Sequence, residues 1–194
     1  ALSPDAYYSV YLGLDDHDCF QAIAADRGQR LSEEQTADMI AAKSAMMKTL
    51  MAREIRVFPG VVEMLASLAQ ADIPRAVCSG ALRAEIDLCC RTMGIADYFL
   101  TKVTARDVVH GKPDPQGYLM ALEQLRELTG RDLQASKCVV FEDSPHGVAA
   151  AKDAGMHVIA VTNSYPASAL GRADAIVESL QGISADTLRA RLVS

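Results

Sequence analysis

The chain has 194 residues, half of them hydrophobic and 23% charged, with a formal net charge of −6. That apolar content is enough for one sizeable core plus a small satellite domain, and it excludes a fully disordered chain. Lys and Arg number 19 against 25 Asp and Glu, no basic stripe follows the chain, and there is no Trp, so nucleic acid and anionic membrane are argued against as large partners. A small anionic substrate is compatible with this balance, because a few local donors and a metal can hold it.

Residues 5–53 read as helical throughout. Asp16 to Arg27 predicts one helix, ended near Gly28. Ser32-Glu-Glu-Gln35 has the form of a capping box, with Ser at the N-cap and Gln three residues on. Behind it Met39, Ile40, Met46, Met47, Leu50 and Met51 recur at helical spacing and predict a buried, Met-rich face.

From Val57 onward helices and strands alternate. Phe58-Pro-Gly60 introduces an amphipathic run, Val61 to Leu68, followed by a predicted strand from Ile73 to Cys78 that closes on Ser79-Gly80. A helix is predicted from Leu82 to Met93, a strand near Phe99 to Thr104, a loop from His110 to Pro115, and a helix from Gln116 to Leu128. The run Cys138-Val-Val-Phe141 ends on Glu142-Asp143-Ser144-Pro145, where Pro145 suits the first turn of a helix that Gly155 stops. Val158-Ile-Ala-Val161 and Ala175-Ile-Val177 complete the strands. Short apolar strands separated by helices predict an α/β fold, a parallel sheet covered on both faces. The five cysteines are odd in number, include the neighbours Cys89 and Cys90, and form no Cys-x-x-Cys. Reduced thiols in a cytoplasmic protein are therefore expected, and no stretch reads as a secretory signal or a membrane span.

Ligands of such sheets bind beyond the carboxyl ends of the strands, so the residues directly after each apolar run are the informative ones. Glu142 and Asp143 set two carboxylates side by side at a strand end; hard oxygens of this kind suit Mg²⁺. Ser79, with the backbone N–H groups of Gly80 and Ala81 at a helix start, offers an anion cradle. Lys112, in the stiff Gly-Lys-Pro-Asp-Pro loop, offers a compact positive charge for a transferring phosphoryl group or a carboxylate nucleophile. Each has an ordinary reading when taken alone: Ser79 as a helix cap, Lys112 as an exposed lysine, Asp143 as part of a helix start. Their order along one sheet edge is what points to phosphoryl transfer. A phosphoacceptor signalling module uses similar groups but in another order, with its acid pair first and the lysine last.

These segments resemble the haloacid dehalogenase superfamily, in particular its branch similar to β-phosphoglucomutase and phosphoglycolate phosphatase. The resemblance runs over about residues 55–180 and rests on Phe58-Pro-Gly60, Ala76-Val-Cys-Ser-Gly80, Gly111-Lys-Pro-Asp-Pro115 and Val140-Phe-Glu-Asp-Ser-Pro-His-Gly147 through Gly155. It implies a Rossmann-like core over 55–194 and a partial helical cap over 1–54. It implies further that Ser79 hydrogen-bonds the phosphoryl group, that Lys112 offsets charge, and that Glu142 and Asp143 hold Mg²⁺. His17 lies near a cap position where relatives often place a substrate-contacting Arg; it is a candidate donor there, with an exposed helix residue as the plainer reading. The implied activity is hydrolysis of a small phosphomonoester through an aspartyl-phosphate. A sugar phosphomutase and a catalytically inactive binding protein are the alternatives, and a monomer or weak homodimer is expected.

One departure is large. The superfamily's first motif is an apolar strand ending Asp-x-Asp-Gly, whose first Asp attacks phosphorus and whose second serves as general acid and base. Asp16-His-Asp18 has the spacing but lacks the Gly and lies within the cap segment. The missing strand, with its turn and the start of a cap helix, would occupy on the order of 20–40 residues. In this fold it is central, flanked by the strands ending at Ser79 and Phe141. The expectation is a fragment of a longer protein, or a strand supplied in some other way. Direct pairing of those two strands would contradict it.

Overall fold

The computed structural model describes residues 10–11 and 14–192, without the side chains of 51–54 and 191–192. The helical region has two long elements, α1 (Asp16–Ala25) and α2 (Glu33–Glu54). Asp15 caps α1 by accepting a hydrogen bond from the Asp18 N–H. Ser32 and Gln35 form the predicted capping box of α2, each side chain bonding the other's backbone N–H. A loop around Gly28 separates the two helices, so this region is not helical throughout. Of the expected extension back to residue 5, Val10 and Tyr11 lie in a π-helical turn, and residues 5–9 and 12–13 lie outside the described residues.

The Met-rich face is a correction. Met39, Met46 and Leu50 are 40%, 69% and 51% exposed; the side chain of Met51 lies outside the described residues. The face of α2 that is buried carries short polar residues instead, Thr36 and Ser44. Thr36 accepts from Gln21 of α1 at 2.9 Å, and Lys43 donates to both Asp16 oxygens at 2.8 Å. Ser44 donates to Glu85 at 2.6 Å. Hydrogen bonding rather than methionine packing selects the inward face, and apolar periodicity cannot register that choice.

The remainder alternates as predicted: α3 (Val61–Gln70), β1 (Ala76–Cys78), α4 (Arg83–Thr92), β2 (Thr101–Val103), α5 (Gln116–Thr129), β3 (Val139–Glu142), α6 (Pro145–Asp153), β4 (His157–Val161), β5 (Ala175–Val177) and α7 (Ala185–Leu192). β1 is shorter than predicted and starts after Pro74, which has no N–H to give a ladder. All strand pairs are parallel. β4 has the clearest two-sided pattern. Val158 and Ala160 join a core with Tyr118, Leu122, Val148 and Leu170. Ile159 and Val161 join another with Met64, Leu68, Leu180 and Leu188. Period-two alternation thus serves helices on both faces, as a doubly wound sheet requires. Gly60 docks the start of α3 against the α7 side. Its φ is +88°, and a Cβ there would run into the backbone of Leu180 and Gln181.

The sheet comes in two pieces. β1 pairs with β2, while β3, β4 and β5 form a separate three-stranded ladder. Among the described residues no ladder joins β1 to β3, the two strands expected to flank a missing central one. The direct pairing that would contradict that expectation is not formed. Among the described residues no helix is long and apolar enough to cross a membrane.

Candidate active site

The carboxyl ends of β1 and β3 meet across the gap between the two sheet pieces, and Lys112 spans it. The lysine sits on the loop between β2 and α5, where Gln116 Oε1 accepts from the N–H groups of Val109 and His110 at 2.9 and 3.0 Å. The Lys112–Pro113 peptide is cis. Lys112 Nζ donates to the Cys78 carbonyl oxygen at 3.2 Å and to Glu142 Oε1. One ammonium therefore ties the end of β1 to the end of β3.

Glu142 faces inward, its side chain 7% exposed. Its Oε1 also accepts from the Tyr118 hydroxyl at 2.5 Å. Its Oε2 accepts from Ser144 Oγ at 3.1 Å and from the Asp143 N–H at 3.2 Å. The neighbouring turn is built to admit this carboxylate. Ser144 caps α6 by accepting from the Gly147 N–H at 3.0 Å, and a Cβ at Gly147 would overlap the Glu142 carboxyl group. Burial by itself would raise the Glu142 pKa; the Lys112 charge and the hydrogen bonds from Lys112, Tyr118 and Ser144 outweigh it and hold the carboxyl below its usual range. Burial likewise opposes the charge on Lys112, but Glu142 beside it holds the ammonium above its ordinary value. Burial and Glu142 together push the Tyr118 phenol far up, so that it stays protonated as a donor.

Asp143 differs from its neighbour. It is half-buried, and its carboxylate Oδ2 accepts from the Ser164 hydroxyl at 2.5 Å. The donor set fits a hard cation: Asp143 keeps a carboxylate oxygen for it, whereas both Glu142 oxygens already take two donors each.

Ser79 and Gly80 line the same cleft as Lys112, together with Asp15, Cys78, Thr104 and Tyr118. The Ser79 N–H continues the β1–β2 ladder to the Val103 carbonyl at 3.0 Å, and Ser79 Oγ accepts from the Ala81 N–H at 3.2 Å. Ala81 thus bonds its own cradle serine in this arrangement and does not line the cleft. His17 is not brought to the cleft. Its ring nitrogens lie 3.2 Å from Asp18 and 3.4 Å from Glu33, and its side chain is 46% exposed. Those two acids hold the ring outside, and Asp18 first among them raises its pKa.

Sequence reasoning missed Asp15, Tyr118 and Ser164. Asp15 packs so closely that a Cβ at Gly111 would lie 2.8 Å from its Oδ2, and one at Gly80 would lie 3.4 Å from its Cα. Burial there raises the Asp15 pKa, and the nearby Asp18 charge adds to it. With Asp15 in place the cleft leaves about 20 Å³, roughly the space one water needs. Asp15, His17 and Asp18 form a carboxylate–imidazole cluster, but its His17 and Asp18 groups are exposed and paired as described. The Asp15 signal in the sequence was its place as N-cap after a Gly-Leu step. No pattern marks Tyr118 or Ser164, because both act across the chain.

The model of haloacid dehalogenase-like hydrolases matches residues 3–155. The chain is 35% identical over 121 residues to the validoxylamine A 7'-phosphate phosphatase of Streptomyces hygroscopicus subsp. limoneus, covering 62% of this chain and 54% of that protein. It is 32% identical over 150 residues to hexitol phosphatase A of Escherichia coli, covering 75% and 65%. The chain spans between 35% and 65% of the length of the first curated relatives it matches. Its fold superposes on that of CbbY from Rhodobacter sphaeroides, solved with phosphate, at a TM-score of 0.83 and 24% identity over 96% of this chain and 83% of that one. The fold and the matched residues agree: this chain belongs to the family of haloacid dehalogenase-like hydrolases.

Proposed function

We propose that the chain is the greater part of a Mg²⁺-dependent phosphatase for a small phosphomonoester, with residues 1–54 as the cap and 55–194 as the core. The observation that carries this reading is the Lys112 bridge between the Cys78 carbonyl and Glu142, across the gap between β1 and β3 that no ladder spans among the described residues. The attacking carboxylate belongs in that gap, on an apolar strand outside this sequence. It would emerge beside Lys112, between Ser79 and Asp143.

In this reading Ser79 Oγ and the Gly80 N–H hold a phosphoryl oxygen, and Lys112 offsets charge on the nucleophile and the phosphoryl group. Glu142 keeps Lys112 in place. Asp143, oriented by Ser164, is the residue that would hold Mg²⁺, with Glu142 as a further ligand only if it released one of its donors. The bound ion would neutralise charge on the phosphoryl oxygens and help align them. Asp15 must leave the cleft before a phosphoryl group can enter, because a water-sized space and a carboxylate both exclude one. The curated relatives named for phosphatase activity support hydrolysis of a sugar-like or polyol phosphate over phosphomutase chemistry.

The test is a phosphate-release screen over sugar and polyol phosphates on the protein with its complete reading frame. We expect release that EDTA abolishes. Lys112→Ala should lower kcat by about a hundredfold or more, the order seen when one charge-stabilising donor is removed. No release with any phosphomonoester would overturn the reading, and unchanged turnover in the variant would remove Lys112 from it.

A further inference from the structure

A lysine side chain is a flexible four-carbon stem, so its charge acts at one point only if something holds it there. Lys112 has three such contacts: the Cys78 carbonyl, the Glu142 carboxylate, and the face of the Tyr118 ring, whose centroid lies 5.0 Å from Nζ. Tyr118 stands in the first turn of α5 and is 6% exposed. The helix start is pressed onto β1, since a Cβ at the preceding Gly117 would lie 2.9 Å from Cys78 Sγ. This docking places the phenol in the cleft with Cys78 and Lys112, within reach of Glu142.

A buried tyrosine needs an acceptor for its hydroxyl, and any carbonyl would serve. Tyr118 instead donates to Glu142 Oε1, the same oxygen that receives Lys112. Its hydroxyl fixes the anion and its ring face seats the cation. A residue needed only for packing would satisfy neither condition, and a phenylalanine would satisfy the second alone.

We propose that Tyr118 is a positioning residue of the candidate site, setting the Lys112–Glu142 pair in place through its hydroxyl and its ring together. The proposal rests on the role given to Lys112 above. It extends that reading to a residue outside the strand-end motifs, held by the core on its other side through Leu122 and Val148.

The test uses the protein with its complete reading frame and two variants. Tyr118→Phe keeps the ring and loses the hydroxyl, and Tyr118→Leu loses both. The readout is the ¹⁵N signal of the Lys112 side-chain ammonium, assigned by its disappearance in Lys112→Met. An ammonium held in hydrogen bonds away from water exchanges slowly enough to be seen, whereas a mobile one does not. We expect a signal in the parent chain, a weakened one in Tyr118→Phe and none in Tyr118→Leu. No signal in the parent chain, or equal signals in the parent and Tyr118→Phe with a folded Tyr118→Leu also unchanged, overturns the proposal. If Tyr118→Leu does not fold, Tyr118→Phe decides alone. In the whole protein Tyr118→Phe should lower kcat about tenfold, the worth of one hydrogen bond, with KM within about twofold. If the ammonium pattern appears while the whole protein releases no phosphate, Tyr118 positions Lys112 and the phosphatase reading is the one that fails.

Discussion

β4 and β1 are both short apolar parallel strands of the same core, and they differ in what surrounds them. β4 has β3 and β5 on either side and helices on both faces, and four of its five residues are buried. Among the described residues β1 pairs with β2 alone, and none of its three residues is buried. Val139, Val140 and Phe141 of β3, which faces β1 across the gap, are also only half-buried. An outer strand such as β5 is half-exposed because the sheet ends there. β1 and β3 are half-exposed in the middle of the core, with a lysine stretched between their ends. Val, Cys and Phe are thus half-buried at strand edges that no ladder joins among the described residues, and catalysis is proposed at the carboxyl ends of those edges.

The strongest way to break this comparison is to place a charge on each side of it. Val158 in β4 is 0% exposed, so Val158→Asp leaves an unpaired carboxylate between two helix layers. It should cost upwards of about 4 kcal/mol or prevent folding. Val77→Asp in β1 should cost less, because Val77 is only half-buried where it packs against Leu65, Ile86 and Ile95. Urea midpoints of the two variants check the contrast. Equal losses would mean that β1 is as dry as the core around β4.

The next effect sharpens the gap side. Gly147→Ala adds a Cβ where the Glu142 carboxyl group lies. Alanine is the better helix former, so a gain of up to about 1 kcal/mol would follow from propensity alone. Overpacking should reverse the sign, to a net loss of about 1–3 kcal/mol in thermal or urea unfolding. It should also displace Glu142 and weaken the Lys112 ammonium signal. A stabilised variant with that signal intact would show that Glu142 can yield without cost.

These three substitutions also separate what the sequence revealed from what it concealed. The strand-end groups were legible because they follow apolar runs: Ser79, Lys112, Glu142 and Asp143 could be placed at one edge before any coordinates were known. So was the Ser32–Gln35 box, which follows from local turn chemistry, whereas the split between β1 and β3 was implied by the resemblance to the family. Side-chain direction was not legible. Glu142 and Asp143 are adjacent and chemically alike, yet one turns in to Lys112 and the other out to Ser164. Tyr118 and Ser164 lie 24 and 21 residues away from the acids they bond. The outward turn of Met46 was hidden for a related reason: Gln21, Asp16 and Glu85 on other elements decide which face of α2 is inward.

The smallest effect belongs to the filled side and has a definite pH window. Asp174 joins α6 to β4, accepting from Lys152 Nζ at 2.7 Å and from the Val158 N–H at 2.7 Å. The hydrogen bond from Lys152, then the one from Val158 and the nearby positive charge, hold its carboxyl below the usual range. A carboxyl depressed on folding stabilises the protein above its unfolded value, about 3.9, and loses that contribution as pH falls through the lower folded value. Asp174→Asn keeps an oxygen for Val158 and removes only the charge. The Asp174 side chain is 41% exposed, so solvent screening limits the loss at pH 7 to about 1 kcal/mol or less. The difference between parent and variant should stay flat from pH 7 to about 5 and close below about 4, when the parent carboxyl begins to take up its proton. It should not change with Mg²⁺, because Asp174 anchors the closed side of the sheet. A difference that widened in acid would mean that Asp174 is strained against β4 instead of bonded to it. A difference that followed Mg²⁺ would mean that the two sheet pieces respond as one body, and that the gap is coupled to the strands it leaves open.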